Sequence, residues 1–307
     1  MSLIVSFPCL CYSKRMFDIG FRAHDFGMHP SAADLARHIA GFAKPTFVHL
    51  ALKRCVEKAR DPKDYDTAYA TQIRNAMEDE GVRIAILGCH INPIHPDPEA
   101  RELDLERFSL SLRMAPAFGC KIVSSESGSA NSDCSYTPET YEPIHFDELV
   151  QSTATLVEAA EKAGTVACYE GGQHTLNTFS RIERLLKEFP SPHFGLLFDP
   201  VNLVPPTGIP EPDGSVRWKP SAEAQKRFIG DALDRFADRI VAVHIKDYRM
   251  REDGLRTGGM PAGKGVLDWT LAFRMFKEYG IRAPMTLENC GPADVPVALA
   301  YLSACQR

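Results

Sequence analysis

"VAVHIKDYR", residues 241–249, begins as an apolar strand and turns basic and acidic within a few positions. A surface loop could carry His244, Lys246, Asp247 and Arg249 at no cost. A strand is more constrained, because alternate side chains share a face and His244 and Lys246, two apart, then point the same way. Whether other strands end likewise decides the reading.

They do, within a repeating pattern of short apolar run, loop and amphipathic helix. The strand-like runs are "MFDIGF" (16–21), "TFVHLAL" (46–52), "RIAILG" (83–88), "KIVSS" (121–125), "TVACYE" (165–170), "FGLLFD" (194–199), "IVAVHIK" (240–246) and "PMTLE" (284–288). Helical stretches are predicted at about 31–43, 65–80, 97–118, 146–163, 177–189, 221–237, 268–279 and 294–305. Ser31 followed by Asp34 has the form of a capping box, and Gly81, Gly119, Gly164 and Gly280 each stand just past a helix. Eight strands alternating with eight helices predict a closed (β/α)₈ TIM barrel. A doubly wound sheet would carry GxGxxG after its first strand, and that motif is absent. With no break in composition, residues 1–307 read as a single TIM-barrel domain.

Composition narrows the function. The chain has 307 residues, 44 % hydrophobic and 24 % charged, with a formal net charge of -5. That balance argues against a grip on nucleic-acid phosphates, and no apolar run reaches the length of a membrane span. The opening "MSLIVSFPCLCY" lacks a preceding basic residue and is interrupted by Pro8, which argues against a signal peptide. Nine cysteines, at 9, 11, 55, 89, 120, 134, 168, 290 and 305, form no CxxC pair, so a reducing, cytoplasmic setting is expected. Cys89, Cys120 and Cys168 read as small buried thiols.

Three long loops, 126–144, 200–220 and 247–265, follow strands four, six and seven, on the face where barrels place their sites. Strand five ends at Glu170, six at Asp199, seven at His244 and eight at Glu288. One carboxylate at a strand end is ordinary, since it caps a helix or pairs with a lysine. Three converging on one rim with an imidazole would repel unless a cation sat among them. Mixed oxygen and nitrogen ligation suits Mn²⁺, Mg²⁺, Co²⁺ or Zn²⁺.

These residues resemble the sugar phosphate isomerase/epimerase superfamily, with its xylose isomerase-like TIM barrel, over roughly 16–290. The resemblance rests on "YE" (169–170), "FDPVN" (198–202), "HIKD" (244–247), "GKG" (263–265) before Leu267-Asp268, and "LEN" (287–289). It implies that Glu170, Asp199, His244 and Glu288 bind one divalent ion, Mn²⁺ foremost. It also implies that Glu170 and Glu288 form the acid/base pair, moving a proton beside the carbonyl of a ketose or keto-sugar through an enediolate. The same superfamily offers lyases: inosose- or dehydroshikimate-type dehydratases, or a subunit that cleaves keto-C-glycosides. It also contains abasic-site endonucleases, but Asn202 stands where that branch has histidine and no DxH follows strand seven. A barrel that binds sugar without turnover is the remaining alternative, and homo-oligomerisation is left open.

Around this core, His90, His174, Asn202, Lys246 and Arg249 are expected to bind substrate. Each has a plainer reading: a loop histidine for His90 and His174, a turn cap for Asn202. His49, inside "TFVHLAL", reads as a structural histidine whose replacement by Gln spares activity. Glu126 reads as solvent-exposed, His24 as a residue lining the mouth, and Asp247 as a partner of Lys246 or a buttress of the site. "GGMPAGKG" (258–265) is close to a phosphate-binding loop, but Gly265 takes the hydroxyl position and the strand–helix context is missing. Asp231, Asp234 and Asp238 read as solvated helix charges.

Overall fold

The computed structural model describes residues 16–307 apart from Gln173, so the apolar opening with Cys9 and Cys11 lies outside the described residues. Each apolar run becomes a strand: β1 (Ile19–Arg22), β2 (Thr46–Leu50), β3 (Val82–Gly88), β4 (Ile122–Ser125), β5 (Val166–Glu170), β6 (Phe194–Phe198), β7 (Ile240–Ile245) and β8 (Met285–Leu287). Every strand pairs in parallel with its sequence neighbour. β8 returns to β1, with Ile19 opposite Met285 and Phe21 opposite Leu287, which closes the barrel and excludes an open sheet.

The helices follow the predicted spans closely. They are α1 (Ala32–Ala40), α2 (Thr67–Glu78), α3 (Pro98–Met114), α4 (Pro143–Ala163), α5 (Phe179–Glu188), the single turn α6 (Pro200–Leu203), α7 (Ala222–Phe236), α8 (Trp269–Glu278) and α9 (Val295–Cys305). Ser31 Oγ accepts from Asp34 N at 3.1 Å, as a capping box requires. The return bond differs: the Asp34 carboxylate takes the Ser31 hydroxyl proton at 2.6 Å instead of reaching a backbone N–H. Gly164 ends α4 with φ 64°, the left-handed cap that a residue with Cβ would strain to adopt.

Alternation divides each strand between two layers. On β5 to β8, Tyr169, Phe198, Val243, Ile245 and Leu287 join the large apolar layer beneath the helices. The opposite parity points to the axis, where Ile86, Ile122, Cys168, Leu197 and Ala242 make a small separate cluster. This cluster is a dry floor. Two residues further along the same inner faces come Glu170, Asp199 and His244, and Glu288 follows buried Thr286 in the same way. The end of β7 is fastened from outside, where fully buried Trp269 on α8 donates its indole N–H to the Lys246 carbonyl at 3.1 Å. Truncating such a tryptophan costs on the order of 3–5 kcal/mol.

Candidate active site

Above the floor the four strand ends meet. Glu170, Asp199, His244 and Glu288 each offer a donor atom, and all four atoms lie within 4.8 Å of one another. Glu170 Oε1 and Glu288 Oε2 both approach His244 Nδ1, each 3.1 Å away. Asp199 divides its carboxylate between two tasks. Oδ1 caps α6, accepting from Val201 N at 2.9 Å and Asn202 N at 3.2 Å, while Oδ2 faces the cluster, 2.6 Å from Lys246 Nζ. The plain reading of a strand-end carboxylate, a helix cap with a lysine partner, thus holds for Asp199, with one oxygen still turned to the cluster.

The electrostatics match this crowding. Burial and the neighbouring carboxylates push the Asp199 carboxyl up, against the pull of Lys246. Burial would depress His244, but Glu288 and Glu170 outweigh it and raise the imidazole to about 10. Glu288, although buried, is held well below the usual carboxylate range by His244, Lys246 and Arg22. One ring proton faces two carboxylate oxygens at equal distance, with a third carboxylate in reach. This set of three hard oxygens and one imidazole fits a divalent cation.

Several neighbours fix the donors in place. His49 Nδ1 lies 3.0 Å from His244 Nε2, and His49 Nε2 lies 2.8 Å from Ser124 Oγ. His49 is thus the buried structural histidine the sequence suggests, and its ring packs behind that of His244. Asn202 Nδ2 donates to Glu170 Oε1 at 2.8 Å. Lys246, almost wholly buried, reaches Glu288 Oε2 at 2.8 Å as well as Asp199. Arg22, unnoticed in the sequence, ends β1 and pairs with Glu288 Oε1, Asp25 Oδ1 and Asn289 Oδ1. Its signal was present: Arg22 takes the last inward position of β1, as Glu170 does on β5.

A cavity of about 390 Å³ opens over the cluster, lined by His24, His49, His90, Glu126, Glu170, Asn202, His244, Lys246 and Glu288 among others. His90 presents both ring nitrogens without a hydrogen-bond partner. Glu126 is not the exposed residue expected. It sits between His90 Nδ1 and His174 Nε2, each 3.7 Å away. His174 borders a neighbouring cavity rather than this one, and His24 lines the mouth as expected. Arg249 lies elsewhere: it is exposed, and its Nε donates to the Lys264 carbonyl at 2.5 Å. Arg54 and Arg256 are the arginines that line the cavity beside Arg22.

Asp247 does not pair with Lys246. Its buried carboxylate accepts from Tyr248 N (2.9 Å), Leu267 N (3.0 Å) and Gly263 N (3.1 Å). The glycine-rich segment does cradle an anion, but that anion is the chain's own Asp247. This supports its rejection as a phosphate loop.

Among solved structures, the chain is similar to a xylose isomerase-like TIM barrel protein from Mycobacterium smegmatis in complex with magnesium. The TM-score is 0.69 at 18 % identity, covering 94 % of this chain and 96 % of that one. It is also similar to 3-keto-D-glucoside 4-epimerase from E. coli (TM-score 0.68, 16 % identity, 94 % and 100 % covered). A third is the probable 3-DHS dehydratase AsbF from Bacillus anthracis (TM-score 0.67, 14 % identity, 95 % and 99 % covered). At these identities the likeness is one of fold. A search of curated protein sequences finds no match. The family model for the xylose isomerase-like TIM barrel matches residues 48–305, and the chain belongs to that family.

Proposed function

We propose that the chain is a divalent-metal-dependent epimerase or isomerase of keto-sugars, with Glu170 and Glu288 as its acid/base pair. The observation that carries this reading is the convergence of two carboxylates, from the ends of β5 and β8, on His244 Nδ1 at equal 3.1 Å distances, with Asp199 in the same cluster. Glu170, Asp199, His244 and Glu288 would hold the ion, which supplies Lewis acidity that makes the C–H beside a carbonyl easier to ionise.

The chain's residues then divide the proton work. Glu288 is kept ionised by Lys246 and Arg22 and takes the proton from that carbon. The ammonium of Lys246 and the guanidinium of Arg22 line the same cavity and face the charge that develops on the enediolate oxygens. Glu170, oriented by Asn202, returns a proton from the other side. Return to the opposite face of the same carbon inverts it, and return to the adjacent carbon moves the carbonyl. For the reverse substrate the two glutamates exchange roles.

The test is incubation of a panel of ketoses, keto-glycosides and inososes in heavy water with Mn²⁺, Mg²⁺, Co²⁺ or Zn²⁺, followed by NMR. Deuterium should enter at the carbon beside the carbonyl without change of mass balance. Glu170→Gln and Glu288→Gln should each slow exchange by about a thousandfold, within the range for general acid–base catalysis. Near-native exchange in either variant would refute the pair, and loss of water or aglycone would transfer the protein to the lyases.

A further inference from the structure

The keto-sugar site occupies only part of the hollow at the barrel mouth. A second cavity of about 850 Å³ adjoins the first, and Asn202 and Arg256 line both. Their walls differ in chemistry. The first is built of histidines, arginines and carboxylates, whereas the second is lined by Tyr141, Phe179, Leu203, Ile209, Phe228 and a run of prolines. The Phe179 and Phe228 rings lie 5.6 Å apart, tilted by 32°. Apolar walls of this extent beside a polar site favour a ligand with a polar and an apolar half.

The partition between the cavities is firm. Arg256 donates through Nε to the Val204 carbonyl at 2.8 Å, and through its Nη atoms to the Thr257 and Asn202 carbonyls at 3.3 Å. Asn202 on the same partition holds Glu170, so a ligand crossing it passes directly beside the proposed acid/base group. His174, Thr178, Arg227 and Asp231 also border this cavity, as does Asn177, whose Oδ1 is buried without a hydrogen-bond partner. That oxygen would accept from a hydroxyl on an otherwise apolar ring. A free monosaccharide would fill the first cavity and leave the second unused.

We infer that the second cavity is an aglycone subsite, and that the substrate is a keto-glycoside carrying an aromatic aglycone. The inference rests on the keto-sugar reading of the first cavity, with the sugar ring over the four-residue cluster and the glycosidic bond crossing between Asn202 and Arg256.

The experiment compares methyl and 2-naphthyl glycosides of one keto-glucose on the Mn²⁺-loaded protein, reading calorimetric affinity and deuterium exchange separately. The naphthyl glycoside should bind at least about tenfold more tightly, as expected for the apolar area removed from water. Phe228→Ala, and Tyr136→Ala at an exposed position on the same cavity wall that belongs to no core cluster, should each reduce that ratio by about threefold or more. Equal affinities, or a ratio unchanged in both variants, would overturn the subsite. Equal affinities with normal exchange would do so while sparing the proton-transfer reading. Tighter naphthyl binding with no exchange would support the subsite and sink the chemistry.

Discussion

His49, read from the sequence as a buried structural histidine, gains by folding a partner that no single strand reveals. Flanked by Val48 and Leu50, it belongs by composition to the core, and it is 3 % exposed. Its role is set from other strands. Gly88 on β3 leaves the space its ring needs, since a Cβ there would lie 2.9 Å from His49 Nε2, and Ser124 on β4 supplies the hydrogen bond at the far end. If His244 presents Nδ1 to a cation, its Nε2 carries the proton and donates to His49 Nδ1, leaving His49 Nε2–H to donate to Ser124. Partners that orient a ligating histidine typically contribute 10–100-fold in metal affinity. His49→Ala should therefore weaken Mn²⁺ binding by about that factor, with the four proposed ligands intact. Titration with Mn²⁺ followed by paramagnetic resonance would measure it, and an affinity equal to the native protein's would remove His49 from the site. No spacing in the sequence announces such a relay, because its three members are brought together only when the barrel closes. The four strand-end residues were legible for the opposite reason: each lies at the inward parity of its own strand, which one strand's sequence reveals.

At the scale of elements, the loop after β7 determines which residues reach the cavity. By strand parity Arg249, an odd number of residues from His244 and Lys246, faces away from the mouth, and regular pairing ends at Ile245 in any case. Asp247 then bridges Met260, with reciprocal backbone bonds of 2.7 and 3.0 Å, and the chain bends away. The same bridge accompanies the placing of Gly258 and Gly259 at the mouth, where both line the cavity. Gly259 has no room for a side chain there: a Cβ would fall 1.9 Å from Asn289 Nδ2 and 2.9 Å from Lys246 Cδ. Gly259→Ala should lift the loop from the site and raise KM for the exchanging keto-sugar by about tenfold, a displacement costing roughly 1.4 kcal/mol of binding. The melting temperature should barely move, because Gly259 is exposed and belongs to no core cluster. An unchanged KM would show that the loop does not contact substrate. The eight strands and helices were predictable to within a few residues because parallel strands buried on both faces leave long apolar runs. The loop's path was not, because it depends on one buried carboxylate gathering N–H groups from three separate positions.

For the whole molecule, gathering ionisable groups at one end of a barrel makes stability depend on pH. Burial, reinforced by the charges of Arg22, His90 and Arg54, pushes His24 down from 6.5 to about 3. Folded His24 therefore stays neutral where the unfolded chain takes up a proton, and stability falls as pH drops from about 6.5 toward 3. Glu126 acts in the same direction over a lower window. Burial would raise its carboxyl, but the close imidazole of His90, with His174 and Arg54, brings it from 4.5 down to about 2. Its contribution is complete above about 4.5 and is lost as pH falls toward 2. One such group changes stability by at most about 1.4 kcal/mol per pH unit inside its window. Urea unfolding from pH 7 to pH 3 should thus contain two separable losses, one from each of these groups. His24→Asn should flatten the limb between about pH 6.5 and 4.5, whereas Glu126→Gln should flatten only the part below it. The histidine effect should be the larger, because a quarter of the Glu126 side chain meets solvent, which screens its partners. If the His24 variant loses stability with the native slope across the upper window, the histidine is protonated in the folded barrel and the crowding around it is looser than the geometry indicates.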